Sequence, residues 1–462
     1  MTRRTKPESA MSKVSKPNSF LHVNTEGQDS FGSNPYRVLL ARRVNPEGHD
    51  SFGINPYQCH FSRVLLHAEP SFVRVSHQLG VNASHMHSAP STKLKQDVWR
   101  YVFEAIVDEA RSPDVVLPLL FVCKQWKAIA EPLLYRHLVF HRPVYIERCH
   151  RTLVQQSIRH IYHGNATRSL TLRGNTAWHN NTTGIERLLR YTSRLSRFSC
   201  RHFAVGTNVL DMLSQTCGRS LQELDITIGT DATLQMALLN RFTSLGHLGI
   251  NVLHMAQIHS MDTPALDMPS METLALSCYT DEALSSLVHF LCRGSFVALQ
   301  FLSLTDILGG QPCQLVLPLL EKFGHQLSTV TLCLPSGEDV ARLLFSSLKT
   351  VKQIYLINTL PDDIGCFLPS SVVMLELRLD LQEKPKTQDL LQFLDDLRRK
   401  KRQTHALGVV QLHSWATQAP FHWSTFGILY PTLAGHLMTR SVGLQLKGIK
   451  LLDEDGKCLM LG

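Results

Sequence analysis

Histidine and cysteine are the residue types in this chain that come closest to forming a metal site. His85 and His87 form one pair, and a second group follows at Cys149, His150, His160 and His163. These spacings match no common structural zinc site, whose ligands come in regular pairs such as C-x2-C and H-x3-H. The adjacent pair in the second group would also point to different faces of a helix. We therefore expect packed or solvated side chains here, and neither a metal nor another cofactor.

Motifs of the common enzyme classes are absent from the sequence. The chain has no G-x-S-x-G, no G-x-x-x-x-G-K-[ST], no G-x-G-x-x-G and no H-E-x-x-H. The acidic run Asp453–Asp455 is typical of a solvated turn rather than a cation site. These observations predict a non-catalytic protein, with an enzyme of unrecognised site residues as an alternative.

The composition is that of an ordinary globular protein. Of the 462 residues, 44% are hydrophobic and 18% are charged. No apolar run is long enough to span a membrane, and the basic N-terminus lacks the apolar stretch of a secretory signal. The eleven cysteines are scattered without C-x-x-C pairs, which favours reduced thiols. We expect a cytoplasmic or nuclear protein, or one found in both compartments.

The net charge of +9 raises the question of nucleic-acid binding. The densest cationic run is Arg398–Arg402, at the end of a predicted helix, where cations suit the helix dipole and face solvent. The basic residues are not interleaved with aromatic residues. Nucleic acid is therefore not the expected partner.

A small helical module is predicted between Leu94 and Phe140. Apolar residues recur at helical spacing in two runs separated by a break at Ser112-Pro113-Asp114. The first run contains Val98, Val102, Ala105 and Ile106, and the second contains Leu120, Cys123, Trp126, Ile129 and Ala130. Two or three short helices of this kind are too small to bury their own apolar faces. The module is thus expected to need a partner surface.

This segment resembles an F-box, the adaptor-docking module of cullin ubiquitin ligases. The matching residues, in family order, are Leu94, Asp97-Val98, Val102-Phe103, Val122-Cys123-Lys124-Gln125-Trp126 and Leu134-Tyr135-Arg136. Lys95 stands where the family usually has proline. A small helical subdomain that only caps the following residues is the alternative.

The resemblance implies an adaptor-binding site and a set of partners. The residues expected to face a Skp-type adaptor, or to support those that do, are Leu94, Val98, Val102, Phe103, Leu120, Val122, Cys123 and Trp126. A cullin would be recruited through that adaptor. The chain would then be a non-catalytic substrate receptor of an SCF-type ligase, bringing a protein substrate close to the ubiquitin-carrying enzyme.

A degenerate L-x-x-L-x-L repeat begins near residue 165. Its central apolar residue falls at Leu170, Phe198, Leu224, Leu248, Leu274, Leu302, Val330, Ile354 and Leu375, in steps of 21 to 28 residues. The pattern is similar to a leucine-rich repeat, in which each unit supplies one short parallel strand and a returning helix. An irregular α/β domain with parallel strands is the alternative.

The segments between these strands carry helical patterns. Gly218 and Gly324 follow two of them and are candidate helix C-caps. Pro318 falls inside the second of these helices, which we expect to start late or to be kinked. Polar positions within the strands are candidates for a substrate-binding face, namely Arg168, Arg197, Glu223, His247, Thr273, Thr329 and Gln353. The substrate itself cannot be read from the sequence.

The predicted organisation is therefore α/β, a helical F-box module followed by a leucine-rich-repeat solenoid with a parallel sheet. Residues 1–92 form a disordered leader with a tandem 21-residue duplication, and 93–145 form the F-box-like module. The repeats span 146–386, and 387–462 cap them. In this organisation the chain resembles fungal F-box and leucine-rich-repeat proteins, which implies the receptor function. The alternative function is a repeat scaffold that binds proteins without recruiting a ligase.

Overall fold

The computed structural model describes ten stretches of the chain. They are residues 92–174, 182–229, 232–252, 264–307, 312–333, 340–358, 360, 364–399, 406–415 and 418–459. The predicted leader, with its duplication and with His85 and His87, lies outside the described residues.

Short helices make up the first part of the described chain, here called the N-terminal module (residues 92–135). Helix α1 spans Thr92–Ala110, and α2 spans Lys124–Ala130. Three turns of 3-10 helix connect and follow them at Pro113–Val115, Leu117–Phe121 and Glu131–Tyr135. The predicted break is confirmed, because α1 ends before Ser112, whose hydroxyl accepts a hydrogen bond from the amide of Asp114 at 3.2 Å.

The module has an apolar core of its own, although the sequence pattern led us to expect helices too small to bury their apolar faces. The buried residues are Phe103, Val107, Val116, Leu119, Ile129, Ala130 and Leu133. Of the four residues that the spacing placed on one face of α1, Val98 and Ala105 are exposed. Phe103 and Val107 are completely buried. The buried stripe of α1 is therefore offset by about one residue from the predicted one, because Trp99 and Phe103 pack inward.

The rest of the described chain is built on one parallel sheet. Its strands are β1 His137–Phe140, β2 Ser169–Leu172, β3 Arg197–Ala204, β4 Glu223–Ile228, β5 His247–Val252, β6 Thr273–Cys278, β7 Phe301–Ile307, β8 Thr329–Leu332, β9 Gln353–Ile357, β10 Met374–Leu379, β11 Val409–Ser414 and β12 Lys450–Leu452. They pair in chain order from β1 to β12, with every pair parallel. The prediction of an α/β chain with a parallel sheet is confirmed. The sequential order is consistent with a repeat solenoid.

The predicted strand centres form a single row across this sheet. The paired positions run Leu170, Phe198, Leu224, Leu248, Leu274, Leu302, Val330, Ile354 and Leu375. All nine side chains are buried. Because side chains alternate between the two faces of a strand, the flanking positions point to the opposite face, which is in contact with solvent.

Helices cover the buried face. They are α3 Pro143–Ile158, α4 Thr182–Leu189, α5 Thr207–Cys217, α6 Ala232–Leu239, α7 Asp281–Arg293, α8 Pro312–Phe323, α9 Val340–Ser346, α10 Ile364–Phe367, α11 Lys384–Arg399, α12 Trp423–Leu429 and α13 Pro431–Gln445. Most successive helices contact one another. Their inward leucines join the strand residues in one continuous core, which hydrophobic burial stabilises.

The two predicted helix C-caps lie where expected but for a different reason. Helices α5 and α8 end directly before Gly218 and Gly324. Gly218 has ordinary right-handed dihedral angles, so no left-handed turn requires it. A Cβ atom at Gly324 would clash with the carbonyl oxygens of Leu320 and Ser347. Glycine is needed because the last turn of α8 and the backbone just after α9 pass too close for a side chain.

The sheet extends beyond the predicted repeat segment at both ends. β1 lies inside the segment assigned to the module, and β11 and β12 lie inside the segment assigned to capping.

Pro318 lies within α8, so the expectation of a late start is wrong. No helix among the described residues has the length and apolar character needed to cross a bilayer.

Candidate functional site

Four large apolar side chains of the N-terminal module lie on its surface. Val98 and Tyr101 of α1 are 55% and 75% exposed, and Phe121 and Val122 at the end of a 3-10 helix are 80% and 57% exposed. The core of the module is complete without them. We refer to these four residues as the exposed apolar set. Four exposed large apolar side chains on a module of this size are typical of a contact surface.

Trp126 lies partly inside the module rather than on its outer surface. Its ring centroid is 4.8 Å from that of Trp99 and 4.9 Å from that of Phe103, the latter in edge-to-face geometry. Such aromatic pairs stabilise a core beyond the area that they bury. The three rings therefore join α1 to α2, and Phe103, predicted as an adaptor-facing or supporting residue, supports the module from within.

Cys123 begins α2 and has a structural role there. Its side chain is exposed, and its sulfur accepts a hydrogen bond from the backbone amide of Trp126 at 3.4 Å, as an N-cap residue does. This contact gives Cys123 a role at the start of α2, whereas the tryptophan at position 126 is explained by its ring contacts with Trp99 and Phe103. Of the other predicted adaptor-facing residues, Val102 and Leu120 are half-buried beside the core, and Leu94 lies in α1.

A polar network joins the N-terminal module to the sheet. The Arg136 guanidinium donates hydrogen bonds to both carboxylate oxygens of Asp108 in α1, at 2.6 and 2.7 Å, and lies 3.4 Å from Glu104. His137, buried in β1, lies between Asp108 at 3.1 Å and the Ser169 hydroxyl at 2.7 Å. The hydrogen bond from Arg136 is the main reason that the pKa of Asp108 is held below its ordinary value. We call these residues the module–sheet joint.

Six of the seven predicted face positions form one row on the solvent side of the sheet. Arg197, Glu223, His247 and Thr273 pair in order, and Thr329 pairs with Gln353 further along. Arg168 is the exception, because Ser169 occupies the matching position in β2. The Arg168 guanidinium instead donates to the backbone carbonyls of Asn165 and Arg194.

Ion pairs cover the first third of this solvent face. Arg197 lies 2.9 Å from Glu223, and Arg201 lies 2.9 Å from Asp225. Burial acts to raise the pKa of Asp225, but His247 and Arg201 outweigh it and hold the value below its ordinary range. In this part of the face, the positive and negative side chains thus largely neutralise one another.

A buried carboxylate marks the other end of the same face. Glu376 in β10 is only 6% exposed. Its carboxylate accepts a hydrogen bond from Gln353 at 2.6 Å, lies 3.2 Å from the His413 ring and also bonds the Tyr355 hydroxyl. Burial and Glu376 together raise the pKa of Tyr355 to about 12. Four side chains from three neighbouring strands converge here, and together they are called the Glu376 cluster.

The sequence patterns did not reveal the exposed apolar set as a group or the Glu376 cluster. Tyr101 and Phe121 belong to no periodic pattern, so only their exposure identifies them. The cluster depends on β11, which the repeat pattern missed although Leu407, Val410 and Leu412 fit L-x-x-L-x-L. Because the long helix α11 precedes β11, Val410 lies 35 residues after the previous strand centre, Leu375, and this step exceeds the 21 to 28 residues of the other units.

The cysteines and histidines of the second candidate metal group are dispersed among helices and loops. Burial raises the pKa of the Cys149 thiol to about 12, and the His150 ring packs edge-on against Tyr191. In the part of the chain that the structure describes, no three His, Cys, Asp or Glu side chains are arranged to hold a metal ion.

Comparison with known proteins gives little direct guidance. No protein-family model matches the chain, and no curated protein matches it. Among solved structures, a crystal structure of a Bacteroides fragilis protein is similar over 56% of this chain and 66% of that chain, just under two thirds of its length. The identity is 10% and the TM-score is 0.26, which is too low to indicate a shared fold.

Proposed function

We propose that this protein is a substrate receptor of an SCF-type ubiquitin ligase. In this proposal the N-terminal module is an F-box that docks on a Skp-type adaptor, which in turn binds a cullin. The strands and helices that follow form a leucine-rich-repeat solenoid that holds a protein substrate. The protein acts in the cytoplasm, the nucleus or both, and it has no catalytic residues of its own.

The exposed apolar set is the observation that carries this proposal. Tyr101 and Phe121 leave most of their surface in water although the core of the module is already formed. Covering such side chains with a partner removes apolar area from water and favours association. They flank the residues that resemble an F-box, Val102-Phe103 and Val122-Cys123, so the adaptor is the partner that this surface suits.

The remaining structure is compatible with a receptor that works by proximity. The module–sheet joint holds α1 against β1 through charge-assisted hydrogen bonds, which are among the stronger polar contacts. A fixed joint would present a substrate on the sheet at a constant distance from the docked adaptor. Raising the local concentration of substrate in this way requires binding and geometry but no chemistry.

The test is co-purification of the full chain with a Skp-type adaptor, using Phe121→Ser as the diagnostic variant. Phe121 is 80% exposed, so serine there removes a contact surface without opening a cavity. We expect a stoichiometric complex for the unmodified chain and a loss of affinity of about tenfold or more for the variant, as for an interface anchor. Trp126→Ala is less informative because it would also disrupt the aromatic core.

Leu446→Ser is the matched control, since Leu446 is 84% exposed and lies far along the chain, after α13. It should bind the adaptor like the unmodified chain. Failure of the folded, unmodified chain to bind would overturn the receptor proposal and leave a repeat scaffold without ligase recruitment. Equal binding by Phe121→Ser and Leu446→Ser would exclude the exposed apolar set as the docking surface.

A further inference from the structure

Positive charge is concentrated in one short part of this chain. Residues 141–200 contain ten arginines, two glutamates and neither lysine nor aspartate, a net charge of +8 with histidine neutral. The whole chain has a net charge of +9. Nearly all of the excess therefore belongs to the segment that holds α3, α4 and the strands β2 and β3. A localised field of this kind attracts an anionic partner.

Most of these arginines are exposed and have no acidic partner. The exposed ones without an ion pair in the described chain are Arg142, Arg148, Arg151, Arg159, Arg187, Arg190 and Arg194. Arg197, by contrast, is paired with Glu223. A set of unpaired guanidinium groups remains available for a ligand, and arginine is well suited to carboxylate and phosphate recognition.

A cavity of about 230 Å³ is lined by one of these arginines, Arg190, and Arg159 and Arg194 lie within a few residues of its wall along the chain. The end of α3 contributes Leu153 and Ser157, and the turn after α4 contributes Arg190 and Tyr191. The connecting segment 161–165 completes the wall. Ile161 and Tyr162 in that segment are exposed at 42% and 57% although they line the cavity. The site thus combines apolar walls with a cation.

The cavity is fixed by backbone contacts. The 3-10 helix His163–Ala166 lies so close to α4 that a Cβ atom at Gly164 would clash with the Tyr191 carbonyl oxygen. The His163 ring stacks on Tyr135 with centroids 5.5 Å apart. Burial lowers the pKa of His163 below its ordinary value, so Arg190 is the main cation of the site at neutral pH. A preformed site loses little entropy when a ligand binds.

The size and lining of the cavity indicate the chemistry of its ligand. A cavity of about 150 Å³ is enough to hold benzene, so this one accepts a large aliphatic or aromatic side chain. The cavity is a single depression lined by Leu153, Ile161, Tyr162 and Tyr191, whereas sites for single-stranded nucleic acid stack successive bases along an extended cationic groove. An anchor residue in the cavity would place its flanking residues next to Arg190.

We propose that this cavity and the surrounding arginines bind an acidic peptide segment of a protein partner. One apolar anchor side chain of the segment occupies the cavity, and a neighbouring carboxylate or phosphate pairs with Arg190. The site is formed by α3, residues 161–165 and the turn after α4, and it includes no residue of the exposed apolar set. It goes beyond the receptor proposal and does not require that the chain bind an adaptor.

Fluorescence anisotropy with labelled short peptides and the full chain tests this directly, with no adaptor present. The first probe carries glutamates on both sides of a single phenylalanine, and the second replaces one adjacent glutamate by phosphoserine. We expect both to bind and to be released by added salt, since screening weakens exposed charge pairs. Tighter binding of the second would identify phosphate as the preferred anion. Replacing the phenylalanine by alanine should weaken either probe.

Arg190→Glu should lower affinity for the peptide by about tenfold or more, because it removes a charged donor and adds a repulsive charge. Tyr162→Ser should lower it by loss of the apolar wall alone. The matched control is Lys349→Glu, which reverses an exposed, unpaired cation in the turn before β9. It should bind like the unmodified chain, and circular dichroism should show all three variants folded.

Three results would overturn the proposal. The first is no binding of either peptide by the unmodified chain. The second is equal affinity for Arg190→Glu and Lys349→Glu, which would mean that the charge of the whole chain, and not this cavity, attracts the peptide. The third is tighter binding of a single-stranded RNA of matched length and charge, which would assign the arginines to nucleic acid.

Discussion

Glu376 is a carboxylate that stays charged although it is nearly buried. Burial acts to raise its pKa, but the hydrogen bonds from His413, Tyr355 and Gln353 outweigh burial and hold the pKa below the ordinary value of 4.5. A buried charge is tolerated only when its hydrogen-bonding capacity is met in this way. The cluster ties together β9, β10 and β11, so its effect should be visible in stability.

Glu376→Gln should destabilise the fold at neutral pH by about 1–3 kcal/mol, the range for hydrogen bonds to a charged group. Because the folded-state pKa is lower than the unfolded one, the carboxylate stabilises the fold above about pH 4.5. That contribution is lost as the pH falls through the folded-state pKa. Urea unfolding across this range should therefore show the variant and the unmodified chain converging in acid.

Glu272→Gln is the control for this pH series, since Glu272 is exposed and lies on the same sheet, just before β6. Its free energy of unfolding should differ little from that of the unmodified chain at any pH. A constant difference between Glu376→Gln and the unmodified chain, independent of pH, would show that the carboxylate does not titrate in the way that its contacts imply.

At the scale of elements, the contact between α1 and β1 decides how the N-terminal module is held. Asp108 receives two hydrogen bonds from Arg136 and faces His137. An exposed ion pair contributes little by itself, and Asp108 is half exposed. Here the two parallel hydrogen bonds and the contact with the buried histidine restrict the orientation of Asp108 more than a single surface ion pair would.

Asp108→Asn should loosen this joint without unfolding the sheet. We expect faster amide hydrogen exchange in α1 and α2, with exchange in β6 to β9 unchanged, because local opening requires less free energy than global unfolding. Glu109→Gln changes the adjacent, exposed carboxylate and should leave exchange in α1 as it is. Identical exchange profiles for the two variants would mean that apolar packing alone holds the module.

At the scale of the whole molecule, each strand of the sheet pairs only with its neighbours in chain order. In such arrays stability is close to a sum of local and nearest-neighbour contributions. The buried row of strand centres is the continuous part of this array, and β6 lies at its middle. A cavity there should weaken both halves, whereas the same change at either end should affect only the terminal strands.

Leu274→Ala removes a completely buried side chain from β6 and should lower the free energy of unfolding by about 2–5 kcal/mol. Chemical denaturation measures the loss, and hydrogen exchange should show it first in β5 and β7. Val297→Ala, at a 74% exposed position, should change stability by less than about 0.5 kcal/mol. A loss confined to β6 itself would contradict the nearest-neighbour description.

The sequence by itself determined the strand centres and the ends of several helices. A row of apolar residues at Leu170, Leu224, Leu274 and equivalent positions has to be buried, and the period of two then assigns the neighbouring positions to solvent. Ser112-Pro113 follows the end of α1 and prevents its continuation through backbone chemistry that acts within a few residues. These features are local, so they can be read without knowledge of the fold.

Only the tertiary structure decided which polar and apolar groups meet. The buried face of α1 follows from the packing of Trp99 and Phe103 on Trp126, which a periodic pattern over one helix cannot specify. The Glu376 cluster and the cavity beside Arg190 each combine residues from separate elements. Such sites depend on the pairing of strands and the approach of helix ends, and both are set by the burial of the common core rather than by the residues of the sites themselves.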